Sequence, residues 1–137
     1  MALAFTISDI IPASKEVIYT AWLDSVEHAK MTYTGSAKAS DKVGDPFMAH
    51  DNYITGINLE LVPYSRIVQE WRSLDFNDDE NSSIITISLE DKDGGTLITL
   101  THSNLPPHGT QYESGWQIHY FEPMKSYFAG LKQGISK

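Results

Sequence analysis

Apolar positions along this chain switch between a period of two and a period near three and a half, and the switches predict the order of elements. Residues 2–10 alternate weakly and carry the β-favouring Phe5, Thr6 and Ile7, which predicts a first strand closed by Ile11-Pro12. Ser14 then reads as a helix N-cap. Val17, Ile18, Ala21 and Trp22 recur at helical spacing, and Asp24 with Glu27 three residues on has the form of a capping box, so two short helices are expected over residues 15–31.

From Thr34 onward the punctuation changes to Gly35, Gly44, Asp45-Pro46 and Gly56, with short segments between that suit the strands of a meander. Ile57, Leu59 and Leu61 share one face opposite Asn58 and Glu60. Ile67, Gln69 and Trp71 share another opposite Val68, Glu70 and Arg72, with Pro63-Tyr64-Ser65 as the hairpin between the two runs. Ile85, Ile87 and Leu89 alternate in the next run and Ile98, Leu100 and His102 in the one after it, and Asp93-Gly94-Gly95 between them is a strong hairpin signal.

Leu105-Pro106-Pro107 ends the sheet. A last helix beginning near Trp116 carries Trp116, Tyr120, Met124, Tyr127 and Leu131 at spacings of three or four. Pro123 lies inside it, where the missing N–H and the ring clash cost roughly 3 kcal/mol unless the helix deforms, so a kink is expected near His119 to Pro123. The order predicts an α+β fold: a curved antiparallel sheet of about six to seven strands wrapped around a long C-terminal helix, with two short helices after the first strand. No repeat, low-complexity tract or linker interrupts it, so residues 1–137 read as a single domain.

Composition narrows the chemistry. The 137 residues contain no cysteine, which excludes disulfides, thiolate nucleophiles and thiolate-bound metals. Ten Lys and Arg against eighteen Asp and Glu leave a net charge of −8, which disfavours nucleic acid and anionic membranes as partners. The start lacks a basic stretch followed by an apolar run, and no segment approaches the roughly 18 apolar residues of a membrane helix, so the expected location is the cytoplasm.

Five histidines invite a metal reading, but no pair stands at the i, i+4 spacing that places two ligands on one helix face, and no metal site is expected. Asp91-Lys92-Asp93-Gly94 starts like a calcium loop, yet His102 stands where the bidentate carboxylate is due. The acidic loop Asp75, Asp78, Asp79 and Glu80 suits a solvated hairpin tip, or else a cation or basic partner. Nucleophile-elbow, phosphate-loop and dinucleotide fingerprints are absent, so no cofactor is expected.

His102 shares the register of Ile98 and Leu100 and therefore points toward whatever the sheet covers, where a polar ring needs a partner. It is either a core histidine satisfied by backbone or a tyrosine hydroxyl, or a pocket group that orients a ligand or moves a proton. His119, one turn into the last helix, carries the same pair of readings. The aromatic set Trp22, Trp71, Trp116, Tyr120, Tyr127 and Phe128 either fills the core or lines a cavity.

The segments Ile54-Thr-Gly-Ile-Asn-Leu-Glu-Leu-Val-Pro63, Ile67-Val-Gln-Glu-Trp-Arg72, Ile85-Thr-Ile-Ser-Leu89 with Gly95-Thr96, and Gly115-Trp-Gln-Ile-His-Tyr-Phe-Glu-Pro-Met-Lys125 with Tyr127 and Phe128 carry a resemblance over nearly the whole chain. The sequence resembles the carboxy-terminal domain of the activator of the heat-shock protein 90 ATPase. That family is similar to the birch-pollen allergen and steroid-transfer domains, so the resemblance implies the helix-grip fold and a pocket for a lipid, steroid or other hydrophobic small molecule.

The first functional expectation is thus a small-molecule binding module. Its pocket would lie between the sheet positions Ile57, Leu59, Trp71, Ile87, Leu100 and His102 and the helix positions Trp116, His119, Tyr120 and Met124. The alternatives are a module that binds a heat-shock chaperone and stimulates its ATPase, and an enzyme acting on a hydrophobic substrate through His102 or His119. A monomer or homodimer is expected. The eukaryotic activators carry an additional amino-terminal domain, whereas this sequence opens on its first strand.

Overall fold

A computed structural model describes residues 3–33, 37–50 and 53–135 of the chain, with side chains up to residue 130. The expected Ala2, Thr34 and Gly35 positions and the Leu131 side chain lie outside the described residues. The elements are β1 (Leu3–Ile11), α1 (Lys15–Trp22), α2 (Ser25–Met31), β2 (Pro46–Ala49), β3 (Ile54–Val62), β4 (Arg66–Ser73), β5 (Ser83–Lys92) and β6 (Gly95–Leu105). A 3₁₀ turn (Gly109–Gln111), α3 (Tyr112–Trp116), a π turn (Gln117–Phe121) and α4 (Glu122–Ile135) follow.

The six strands of the curved sheet run in the order β1-β6-β5-β4-β3-β2, every neighbour antiparallel, so the last strand pairs with the first. The α+β helix-grip architecture read from the sequence is the one observed. Both caps are as expected: the Ser14 hydroxyl accepts from the Val17 N–H, and the Asp24 carboxylate accepts from the Glu27 N–H. Ile67, Gln69, Trp71, Ile85, Ile87, Leu89, Ile98, Leu100 and His102 all turn inward, as their alternation predicts. Asp93 and Gly94 take positive φ in the β5–β6 hairpin, the backbone that a two-residue turn between right-twisted strands requires.

One strand departs from its pattern. Ile57 and Leu59 are 38% and 40% exposed, while Asn58 between them is 1% exposed. The pairing of β3 with β4 slips between Asn58 and Glu60, so Leu59 occupies a bulge, and Leu61 opposite Ile67 returns to the core side. The buried amide explains the inversion: Asn58 Nδ2 donates to the carbonyls of Ser40 and Lys42, and its Oδ1 accepts from Gln69 Nε2. A period-two reading of Ile-Asn-Leu-Glu-Leu assigns the hydrophobic set inward and misses this requirement.

The last helix also starts earlier than Trp116, at Tyr112, and its irregularity is a widened turn. The Glu122 N–H donates five residues back to the Gln117 carbonyl, immediately before Pro123, which has no N–H to offer His119. The extra residue in that turn lets Tyr120 and Phe121, adjacent in sequence, both be buried. Phe121, Met124 and Phe128 then lie in one hydrophobic cluster with Ile87, Ile98 and Leu100, so among the described residues this stretch of α4 packs directly on the sheet.

Gly56 is fixed by close approach: an added Cβ would stand 1.8 Å from the Glu70 carbonyl oxygen and 2.5 Å from the Phe47 ring. Because backbone supplies the first contact, the clash has no cheap relief. Gly56→Ala should therefore lower stability by about 3 kcal/mol or more, measured by urea unfolding. Unfolding indistinguishable from the parent chain would show that the β3–β4 approach is looser than described.

Candidate functional site

A cleft of about 450 Å³ opens at the start of the C-terminal helical segment, between it and the first half of β3. Trp71 on β4 and Ile54 on β3 supply the sheet side, Tyr112, Trp116 and Tyr120 the helical side, and all five are buried. Gln111, Ser114, Ile118 and His119 form an exposed rim, with His50, Tyr53 and Gly115 partly buried between rim and floor. Four of the residues expected from the sequence, Trp71, Trp116, His119 and Tyr120, meet here.

The other expected positions lie elsewhere. Ile87, Leu100, His102 and Met124 are wholly buried behind the floor, and Ile57 and Leu59 face away because Asn58 between them turns inward. His50, Tyr53, Ile54, Gln111, Tyr112, Ser114, Gly115 and Ile118 were not foreseen as lining. A signal existed for Tyr112, which stands four residues before Trp116 and so continues its helix face. Nothing local marks His50 or Tyr53, whose places depend on how the β2–β3 connection lies against the helix.

Behind the floor the polar atoms form two directed chains. Trp116 Nε1–H donates to His102 Nδ1 at 2.9 Å, which requires the His102 proton on Nε2. That N–H donates to Ser83 Oγ at 2.7 Å, and the Ser83 hydroxyl in turn donates to the Trp71 carbonyl at 2.7 Å. In the second chain the Tyr120 hydroxyl donates to His28 Nε2 at 2.7 Å, and His28 Nδ1–H donates to the Trp22 carbonyl at 2.8 Å. Trp22 Nε1–H reaches Gln69 Oε1, and Gln69 passes the chain to Asn58.

At the cleft's edge the Tyr53 hydroxyl donates to Asp75, and the Tyr112 hydroxyl pairs with Ser73 Oγ. The acidic loop is tied down by Arg72, whose guanidinium donates to the carbonyls of Asn77 and Glu80. Hydrogen bonds from His108 and the Asn77 amide hold the Glu80 carboxyl below its usual range. Among the described residues no group of three or more His, Asp or Glu is placed to hold a metal ion. No helix among them is long and apolar enough to cross a membrane.

The curved sheet gripping a C-terminal helix, with an aromatic cleft at the helix's start, defines a helix-grip domain. The sequence model described as "Activator of Hsp90 ATPase homolog 1-like protein" matches residues 12–129, and the chain belongs to that family. It is 27% identical over 124 residues to the human "Activator of 90 kDa heat shock protein ATPase homolog 1", a match covering 90% of this chain and 36% of the human protein. The chain thus spans about a third of that relative's length.

Among solved structures, an HSP90 activator from Plasmodium falciparum superposes with a TM-score of 0.81 at 23% identity, covering 90% of this chain and 94% of that one. The Aha1 dimer from Colwellia psychrerythraea gives 0.76 at 17% identity, covering 93% and 98%. At these identities the superpositions speak for the fold.

Burial holds His28 and His102 well below the usual imidazole range, at about 4 and about 3, because the charged form is desolvated. A charged His102 would also set an Nδ1–H against the Trp116 N–H. The unfolded chain binds both protons near pH 6.5 and the folded chain only at lower pH. Stability is therefore full above about pH 6.5 and falls as pH drops, by about 1.4 kcal/mol per pH unit for each ring. Urea unfolding at pH 7 and pH 5 should differ by roughly 4 kcal/mol from the two rings together. A flat profile, or imidazole NMR signals of either residue titrating above pH 5.5, would contradict their burial as neutral groups.

Proposed function

We propose that this protein binds a hydrophobic small molecule in the cleft formed by Ile54, Trp71, Tyr112, Trp116 and Tyr120. The observation that carries the reading is the cleft itself: about 450 Å³, floored by aromatic and aliphatic carbon and rimmed by a few polar side chains. That is the size and composition of a small-molecule site. The pocket lies beside the helix start rather than beneath α4, where Ile87, Leu100, Phe121 and Met124 leave no exposed surface. His102 positions the floor from behind and does not line it.

Gly115 offers a direct test, since an added Cβ there meets nothing within 4 Å and a longer side chain would grow into the cleft. Gly115→Leu should fold normally and gain up to about 1 kcal/mol from losing a helical glycine. It should also abolish any rise in melting temperature that a panel of lipids, steroids and aromatic compounds gives the parent chain. Ligand-induced stabilisation that survives the substitution would place binding elsewhere, and a panel without effect on the parent chain would remove the reading.

Family membership favours a second reading, stimulation of a chaperone ATPase, the activity that the human relative's name records. Adding this chain to purified heat-shock protein 90 and measuring ATP hydrolysis tests it. Stimulation that saturates with chain concentration supports the role, and an unchanged rate at saturation ends it.

A further inference from the structure

The chain has three tryptophans, and their indole N–H groups are treated differently. Trp22 donates to Gln69 and Trp116 to His102. Trp71 Nε1–H makes no hydrogen bond among the described residues, although the residue is only 3% exposed. No described side-chain nitrogen or oxygen is both cut off from solvent and unpartnered, so this N–H must lie in the small part of Trp71 that remains accessible. Trp71 lines the cleft, which gives that accessible part a space to open into.

The other floor donors have partners. Trp116 Nε1–H is held by His102, the Tyr120 hydroxyl donates to His28, and the Tyr112 hydroxyl shares a hydrogen bond with Ser73 in which either oxygen can donate. Ile54 contributes only carbon from its side chain. Trp71 Nε1–H is therefore the floor side-chain donor without a partner among the described residues, embedded in apolar surface, where a matched acceptor is recognised strongly and an unpaired donor is left unsatisfied.

We propose that the cleft recognises an apolar molecule bearing one hydrogen-bond acceptor, a carbonyl or ring oxygen, which receives the Trp71 indole N–H. This rests on the small-molecule reading of the cleft and adds its ligand class. The acceptor is anchored at a single point on the floor, and the polar side chains of Gln111, Ser114 and His119 stand at the rim.

The pair 1-indanone and indane tests it, since the two match in size and flatness and differ by one carbonyl. With 1-indanone the Trp71 Nε1–H resonance should move downfield, with Trp22 and Trp116 as internal references, and indane should leave it near its free position. Calorimetric titration of Trp71→Phe should weaken 1-indanone about tenfold while changing indane less than twofold. If Trp71→Phe does not fold, the resonance comparison on the parent chain decides alone.

Equal effects of the substitution on both probes, or equal resonance shifts, would overturn the acceptor role while leaving cleft binding intact. Binding that persists in Gly115→Leu would overturn it by placing the probes outside the cleft. If neither probe binds the parent chain, the ligand class is wrong; the wider panel of lipids, steroids and aromatic compounds decides the cleft reading separately.

Discussion

The run of hydrogen bonds from Trp116 through His102 and Ser83 to the Trp71 carbonyl has only one workable polarity, and much of the structure follows from it. An indole can only donate, so His102 must accept on Nδ1 and donate from Nε2; Ser83 must then accept from the ring and pass its own proton to the backbone. One neutral imidazole thereby joins β4, β5 and β6 to α3. Replacing any member leaves a buried donor or acceptor unpaired, which costs more than the bond itself is worth in a folded chain.

The same device holds the rings that shape the cleft. Its walls are large rings that could swing into an open space of about 450 Å³. Trp116 is held from behind by His102 and stacks toward Trp22 at 6.3 Å, while Tyr120 is held by His28 and sits 4.7 Å from Trp116. The π turn is what lets Tyr120 reach that chain while Phe121 fills the space over the sheet. Core closure beneath α4 and an open cleft beside α3 are thus two outcomes of one extra residue in the helix.

Much of this was legible in the sequence where local pattern and burial agree. The alternations of β4, β5 and β6, the Ser14 and Asp24 caps and the Asp93-Gly94 turn each rest on chemistry within a few residues, and they held. The β3 bulge was hidden because its cause is not local: Asn58 turns inward to satisfy carbonyls of Ser40 and Lys42 and the amide of Gln69. Pro123 announced an irregularity but not its form. A third of the cleft lining, Trp71, Trp116, His119 and Tyr120, was named from helix spacing and strand register; His50, Tyr53 and Ile54 required the path of the chain between β2 and β3.

His102 shows how far a residue's type can mislead about its role. A histidine on the inward face of a strand, next to a serine at 2.7 Å, has the composition of a catalytic pair. Its directionality is wrong for that work, because the serine's proton goes to the Trp71 carbonyl and the ring's free lone pair is taken by Trp116. With neither nitrogen open and no surface exposed, the ring has nothing to exchange with a substrate. What it controls is which tryptophan N–H is consumed in the core, and by taking that of Trp116 it leaves the N–H of Trp71 as the polar point in an apolar floor.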